Sequence, residues 1–525
     1  MSQDFDAIVI GGGHNSLTAV AYLAKAGMKV AVFEQRGLLG GAASTEELFP
    51  GFRFNTGLSD AGLLLPDVID DLGLTAHGLD WLEAPALAFA PLGAEKSLTL
   101  WQDLGRTTEE LGQHSKSDAQ VFARYTQQNA AFGALLQEMA KLAPPSLQYK
   151  PLPLLLAWAK VAIRARRLGG RRMMEFMRVL PMGAARYLDE WFESVALKGL
   201  LGAVSVSGLL QGPRAAGTAF MLLYQQMGST GGYMAMKTAQ GGVGAVSAAL
   251  ASAAGSYGAE IHTGVRVAHI LSENGKALGV ELVDGSQVLA KVVLSGAEVR
   301  HTLVDLVGAS KLAPSVMRRL RALKLRGSTA SVHLALSGLP KFSTSDNDNE
   351  RLTGDIVICP SLDYAEQAYD DAKYGRFSAR PILIARIPSL LDSTLAPDGE
   401  HTLSITLRYA PYHLRGSDWG NEKERLGDLA VKVLSEHAPG LKKLIKQRKV
   451  ITPLDYERDY GLTEGSMMHG QMSLDQLVMM RPVPGFVGYR TPIEGLYING
   501  AGAHPGGGVT GAPGRNAARQ VLKEI

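Results

Sequence analysis

His469, in Gly465-Ser466-Met467-Met468-His469-Gly470, and His504, in Gly502-Ala503-His504-Pro505, are the side chains best suited to accept a proton when a C–H bond gives up hydride. Tyr224 and Arg481 are weaker candidates for that work. Each histidine also has a plainer reading as a structural hydrogen-bonding group. No HExxH or CxxC spacing offers a metal set, and no Gly-x-Ser-x-Gly offers a hydrolase elbow. The single cysteine, Cys359, excludes an internal redox disulfide. Redox work then falls to a bound group, with the protein supplying position and exclusion of water.

Glycine marks where such a group would lie. Seven glycines fall between Gly11 and Gly41, six between Gly241 and Gly264, and ten between Gly485 and Gly514. Residues 6–10 form a short apolar run suited to a buried parallel strand. Gly11-Gly12-Gly13-His14-Asn15-Ser16 follows, then a small-residue helix over 17–26 and a second strand over 29–33 ending at Glu34. This is a βαβ unit with G-x-G-x-x-S. Its glycines admit a pyrophosphate to a helix N-terminus, Ser16 is small enough for helix-on-strand packing, and Glu34 is placed to accept from a ribose. Gln35 and a second pair, Gly40-Gly41, then Ala42, lie just beyond the acid, an arrangement that favours FAD over NAD. The second cluster opens a helix running to about residue 254, followed by strand character over 259–270 and a turn at Asp284-Gly285. The third cluster ends in a helix over 510–523 with Gly511 and Gly514 in its first turns. Glycine weakens a helix there, so the expectation is a flat ligand close to its N-terminus. The dipole at that end favours the negative charge of a reduced flavin.

Composition sets the frame. The chain has 525 residues, 46% hydrophobic and 20% charged, and a net charge of +3, which suits a multidomain globular protein and gives no case for nucleic acid. The start of the sequence lacks a basic leader and an apolar cleavable stretch, and the best apolar run, 152–163, contains Lys160. The expectation is a cytoplasmic protein, with peripheral membrane contact as a further reading.

Residues 8–27 with 34–45, 241–250 and 495–518 together resemble the phytoene desaturase-like FAD-dependent oxidoreductases. The nearest likeness is to the beta-carotene ketolase-like branch and the pyridine nucleotide-disulfide oxidoreductase domain protein 2 group. Residues 52–55, 217–220, 387–401 and 472–477 match as well, so the resemblance covers nearly the whole chain. It implies FAD held by a phosphate loop at Gly11, Gly13 and His14, a ribose acid at Glu34, and Gly40, Gly41 and Ala42 along the pyrophosphate and flavin. It further implies an adenine contact at the Val267 backbone and a flavin-facing loop at Gly502, His504, Val509, Thr510 and Gly511. Ser16 departs from the family's third glycine. Tyr224-Gln225 stands where the family carries a histidine pair, which puts a histidine role there in doubt. The implied fold is α/β: a Rossmann-type FAD-binding domain (1–75, 235–305 and 451–525) with an inserted mixed-sheet and helical substrate domain (76–234 and 306–450).

Within the insertions, residues 150–188 carry nine Lys/Arg against one acid, Glu175, interleaved with apolar side chains. Such a segment suits an anionic membrane surface; a solvated face or an oligomer contact is the plainer reading. The Met cluster at 467, 468, 472, 479 and 480 suits an apolar tunnel or ordinary core filling. Three functions follow: hydride exchange with an apolar polyene or isoprenoid-like small molecule, an amine oxidase-type reaction on the same scaffold, or a non-catalytic flavin-bound interaction protein.

Overall fold

The computed structural model describes residues 4–93, 96–144, 152–343, 349–486 and 488–525. Its first sheet is parallel through five strands, ordered Glu260–Thr263, Val30–Glu34, Phe5–Ile10, Gln287–Ser295 and Leu496–Ile498. Residues 7–10 and 30–33 are unbroken apolar runs, and every one of these residues is buried, as strands covered on both faces require. His14–Lys25, Gly244–Ser256 and Ala512–Val521 pack together beside it. Val267–Glu273 and Lys276–Leu282 extend it antiparallel along the first half of Gln287–Ser295, turning through Asp284-Gly285 as the sequence predicts. The single strand expected over 259–270 is two strands, broken at Gly264, whose φ is +72°.

The second sheet is mixed and lies in the intervening sequence. Its order is Ile445–Ile451, Thr329–Leu336, His401–Arg408, Leu383–Arg386, Asp355–Ile358, Ala86–Gly93 and Lys96–Trp101. Only the Asp355–Ile358 pairing with Ala86–Gly93 is parallel. Thr329–Leu336 is buried at all eight positions. Helix Trp419–Ser435 packs Trp419, Leu426, Ala430 and Leu434 into one core with this sheet. Helices Lys116–Ala140, Val195–Ser205 and Thr218–Gln225 build another. Buried Tyr125, Phe122 and Phe192 meet there, with Tyr125 and Phe192 edge to face at 4.8 Å.

The glycines of the last helix have a different reason from the one expected. A Cβ on Gly514 would stand 1.8 Å from the Asn15 carbonyl oxygen and 3.0 Å from Ala19 N. Gly514 is required by the close crossing of the last helix over the first, not by a ligand.

Candidate active site

A cavity opens at the carboxyl ends of the parallel strands, where open α/β sheets bind ligands. Gly11, Gly13, His14, Asn15, Ser16, Glu34, Gln35, Gly40, Gly41, Ala42 and Val267 all line it. His469 joins them with Met467, Gly500 and Ala501, at the end where the C-terminal loop meets the Gly40–Ala42 turn.

The N-terminus of helix His14–Lys25 faces this space with no side-chain cap. Its first N–H groups therefore lack the partners that helix starts normally find. A Cβ on Gly13, whose φ is an ordinary −68°, would meet no described atom within 4 Å. Protein packing alone would accept alanine there. Glu34 fixes the loop from below: Oε2 accepts from Gly12 N at 2.6 Å and Oε1 from Arg36 N at 2.7 Å. Ser16 packs where a larger residue could not, since a Cβ on Gly296 would lie 2.1 Å from Ser16 Oγ.

Three side chains lining the cavity hold buried polar atoms without partners: Asn15 Oδ1, Arg36 Nη1 and His469 Nδ1. Buried polar groups are ordinarily satisfied. Unpaired helix N–H groups, an acid at the second strand's end, open space above Gly13 and these orphaned atoms fit a bound dinucleotide flavin, FAD.

Burial pushes the imidazoles of His14 and His469 down to about 4, so both are neutral near pH 7. His14 Nε2 donates to the Gly508 carbonyl at 3.1 Å, tying the first helix to the C-terminal loop. Arg481 braces the loop around His469. Its Nε and Nη2 donate to the Ala501 carbonyl at 3.1 and 2.7 Å, and it also reaches the carbonyls of Met468, Gly470, Gln471 and Gln476. Among the described residues no carboxylate lies within ion-pair distance of Arg481, and burial lowers its pKa to about 10.

The structure places other sequence candidates outside this cavity. His504 turns toward the long helix, its Nε2 donating to the Met139 carbonyl at 3.1 Å, and burial holds it neutral with a pKa of about 4. Tyr224 donates from Oη to the Gly507 carbonyl at 2.8 Å and so supports the C-terminal loop from behind. Gly502 and Thr510 are buried beside the loop rather than at either cavity wall. Cys359 is buried, its thiol pushed up to about 12, which leaves it inert.

The second glycine cluster does not line this cavity at all. Gly241, Val243 and Gly244 donate their N–H groups to Asp392 Oδ2, Asn55 Oδ1 and Thr45 Oγ1 at 2.6, 3.0 and 2.9 Å. It buttresses the 40–55 segment, and only the strand that follows reaches the cavity, through Arg266 and Val267.

A second cavity adjoins the first and shares Met467 with it. Leu58, Leu63, Met234, Met468 and Val509 form apolar wall; Asp60, Ser207, Gln225 and Arg408 form polar wall. Sequence reasoning missed Arg408 and Ser207: each sits on a different element, and no local spacing links them. Among the described residues no group of His, Cys, Asp and Glu is placed to hold a metal ion.

Residues 9–59 match an NAD(P)-binding Rossmann-like domain, and residues 106–522 match the flavin containing amine oxidoreductases. The chain is 37% identical, over 100% of its length and 94% of the relative's, to pyridine nucleotide-disulfide oxidoreductase domain-containing protein 2 of Rattus norvegicus. It is 25% identical to the lycopene-forming phytoene desaturase of Pantoea ananas, covering 96% of each chain. Among solved structures, an oxidoreductase from Methanosarcina mazei shares the fold with a TM-score of 0.61 and 16% identity, covering 98% of this chain and 99% of that one.

Proposed function

This chain belongs to the flavin-containing amine oxidoreductase family and is an FAD-dependent oxidoreductase, and on that premise we propose that its substrate is an apolar, polyene- or isoprenoid-like molecule. The carrying observation is the cavity walled by Leu58, Leu63, Met234, Met468 and Val509 and joined to the dinucleotide cavity at Met467. FAD supplies the hydride acceptor when bound. The first helix start and Gly13 would hold its phosphates, Glu34 its ribose and the Val267 backbone its adenine, with Gly40–Ala42 and Gly500–Ala501 lining the rest of the same cavity. The apolar wall orients a substrate C–H toward that end and keeps water out.

His469 is the proton acceptor. It is neutral, it lines the cofactor cavity, and its Nδ1 has no partner. Loss of hydride from one carbon and of a proton from the next gives C=C. The reverse transfers saturate it, and a transfer out and back isomerises it. His504 and Tyr224 act as positioning residues for the C-terminal loop.

The test is anaerobic reduction of the flavin-loaded protein by a panel of carotenoids, retinoids, acyl chains and amines. Flavin bleaching by a polyene or isoprenoid, with a product lighter by two mass units, is the expected result. Bleaching by amines alone would overturn the reading in favour of an amine oxidase-type reaction.

We also propose that helices Leu152–Arg167 and Gly170–Val179 rest on an anionic bilayer. Leu155, Leu156, Ile163, Met174 and Met177 are exposed there. Lys160, Arg166, Arg167, Arg171 and Arg172 are exposed beside them with no carboxylate partner among the described residues. Arg164 and Arg178 are paired with Glu138 and with Glu175 and Glu190. Lys150 lies outside the described residues. No described helix is long and apolar enough to cross a membrane, so the contact is interfacial. Co-sedimentation with phosphatidylglycerol-containing vesicles but not with phosphatidylcholine vesicles, lost on Arg166→Glu with Arg171→Glu, is expected. Equal sedimentation with neither would contradict it.

A further inference from the structure

The polar wall of the substrate cavity is built around four charged side chains, Asp355 buried and Asp60, Arg386 and Arg408 half-buried; three of them pair with one another, and Arg408 has no charged partner among the described residues. Arg386 donates to Asp355 through Nε, and through Nη1 to Asp60 Oδ2 at 3.2 Å and the Ser59 carbonyl at 3.0 Å. Asp355 also accepts from Tyr233 Oη at 3.0 Å. Asp60 accepts from the backbone N–H groups of Gly62 and Lys237 at 2.6 and 3.2 Å. Both carboxylates are thereby taken. Arg408, at the end of its strand, has one side-chain bond, from Nη2 to Ser207 Oγ at 2.8 Å. Its Nε is buried with no acceptor, and among the described residues no carboxylate lies within ion-pair distance of it.

A half-buried guanidinium with no carboxylate partner and a buried Nε that lacks an acceptor has donors left for a ligand to use. Arg408 is half-buried and lines this cavity. We propose that Arg408, with Ser207 beside it, binds a carboxylate at the far end of the substrate, so that the molecule accepted is an apolar chain bearing an acid rather than a pure hydrocarbon. This rests on the reading of that cavity as the substrate site. Arginine recognises a carboxylate through paired N–H donors, and an anchor at one end fixes which C–H of the chain meets the cofactor cavity at Met467. An ammonium substrate would meet like charge here. The carboxylate of Asp60 on the same wall is already paired with Arg386, at 3.2 Å.

The probes are farnesoate and methyl farnesoate, which share a C15 isoprenoid chain and differ in charge, titrated calorimetrically into flavin-loaded protein. The wild type binds farnesoate at least about tenfold more tightly than the ester, as a charge-assisted pair implies. In Arg408→Gln the ratio falls to about one while ester binding changes little. Equal affinities in the wild type, or a preference that survives Arg408→Gln, overturn the carboxylate assignment alone. Failure of both ligands to bind protein that retains its flavin overturns it together with the apolar-substrate reading. If Arg408→Gln does not fold, the wild-type ratio decides, and Ser207→Ala, which keeps the guanidinium, must keep the preference.

Discussion

Helix His14–Lys25 and helix Gly244–Ser256 both start behind glycine-rich turns, lie in the same domain and pack near one another, yet only one of them offers its start to a ligand. At the second, Asn55, Thr45 and Asp392 side chains accept the N–H groups of Val243, Gly244 and Gly241. A Cβ on Gly242 would lie 2.5 Å from Thr45 Oγ1 and 2.6 Å from Asn55 Oδ1. At the first, no acceptor among the described residues meets the N–H groups of His14, Asn15 or Ser16, and the space above Gly13 is open. A glycine-rich helix start is an anion site only where the protein leaves its N–H groups unpaired. Where it pairs them, the glycines serve close packing of chain on chain.

The comparison breaks most sharply at Gly242. Its φ of +84° and its crowded neighbours mean that Gly242→Ala should cost about 4 kcal/mol in denaturant unfolding, from backbone strain plus overpacking. Flavin content of the folded fraction should stay near that of the wild type. A variant as stable as the wild type would mean the buttress is soft.

The two starts also differ in titration. His14 opens the first helix and is held neutral by burial, its pKa lowered to about 4; the start of the second carries no ionisable side chain. The unfolded chain takes up this proton first as pH falls, so the contribution is full above about pH 6.5 and is lost toward pH 4. It amounts to about 3 kcal/mol at most. In flavin-free protein, stability should rise with pH across that window and level off above it, and His14→Gln should flatten the rise by one proton. An unchanged slope would show that His14 takes up its proton at the same pH in the folded and the unfolded chain.

Smaller effects refine the picture. Asn55→Ala removes an acceptor from the second helix start and from Thr45 Oγ1, and should lower stability by about 1.5 kcal/mol without changing flavin affinity. Tyr224→Phe removes the bond to the Gly507 carbonyl and should cost about 1 kcal/mol, with a change in turnover rather than in flavin content. Loss of flavin in Asn55→Ala would show that the two starts are coupled.

Much of the cofactor cavity was legible in sequence because its parts are local. Gly11 to Ser16, Glu34 and Gly40 to Ala42 fall within one βαβ unit and the turn after it, where spacing alone dictates geometry. The reading failed where glycine counts were equated with ligand contact. The reason for Gly242 lies in Thr45 and Asn55, and that for Gly514 in the Asn15 carbonyl, hundreds of residues away in sequence. His504 and His469 look alike in their loops, and only tertiary packing turns one to Met139 and the other to the cavity. The substrate cavity was least legible. Its polar wall joins Asp60, Ser207 and Arg408 from three distant segments, and the strands Asp355–Ile358, Ala86–Gly93, Lys96–Trp101 and Ile445–Ile451 carry no motif that announces them.

The central claim is that the unpaired start of the first helix holds FAD. Gly13→Val tests it most directly, because φ at Gly13 is an ordinary −68° and a Cβ there would meet no described atom within 4 Å. Flavin extracted per chain, with unfolding of the flavin-free protein as control, is the measurement. The account predicts about one FAD per chain in the wild type, less than about a tenth of that in Gly13→Val, and flavin-free stabilities equal within about 0.5 kcal/mol. A Gly13→Val protein that retains its full FAD would contradict it.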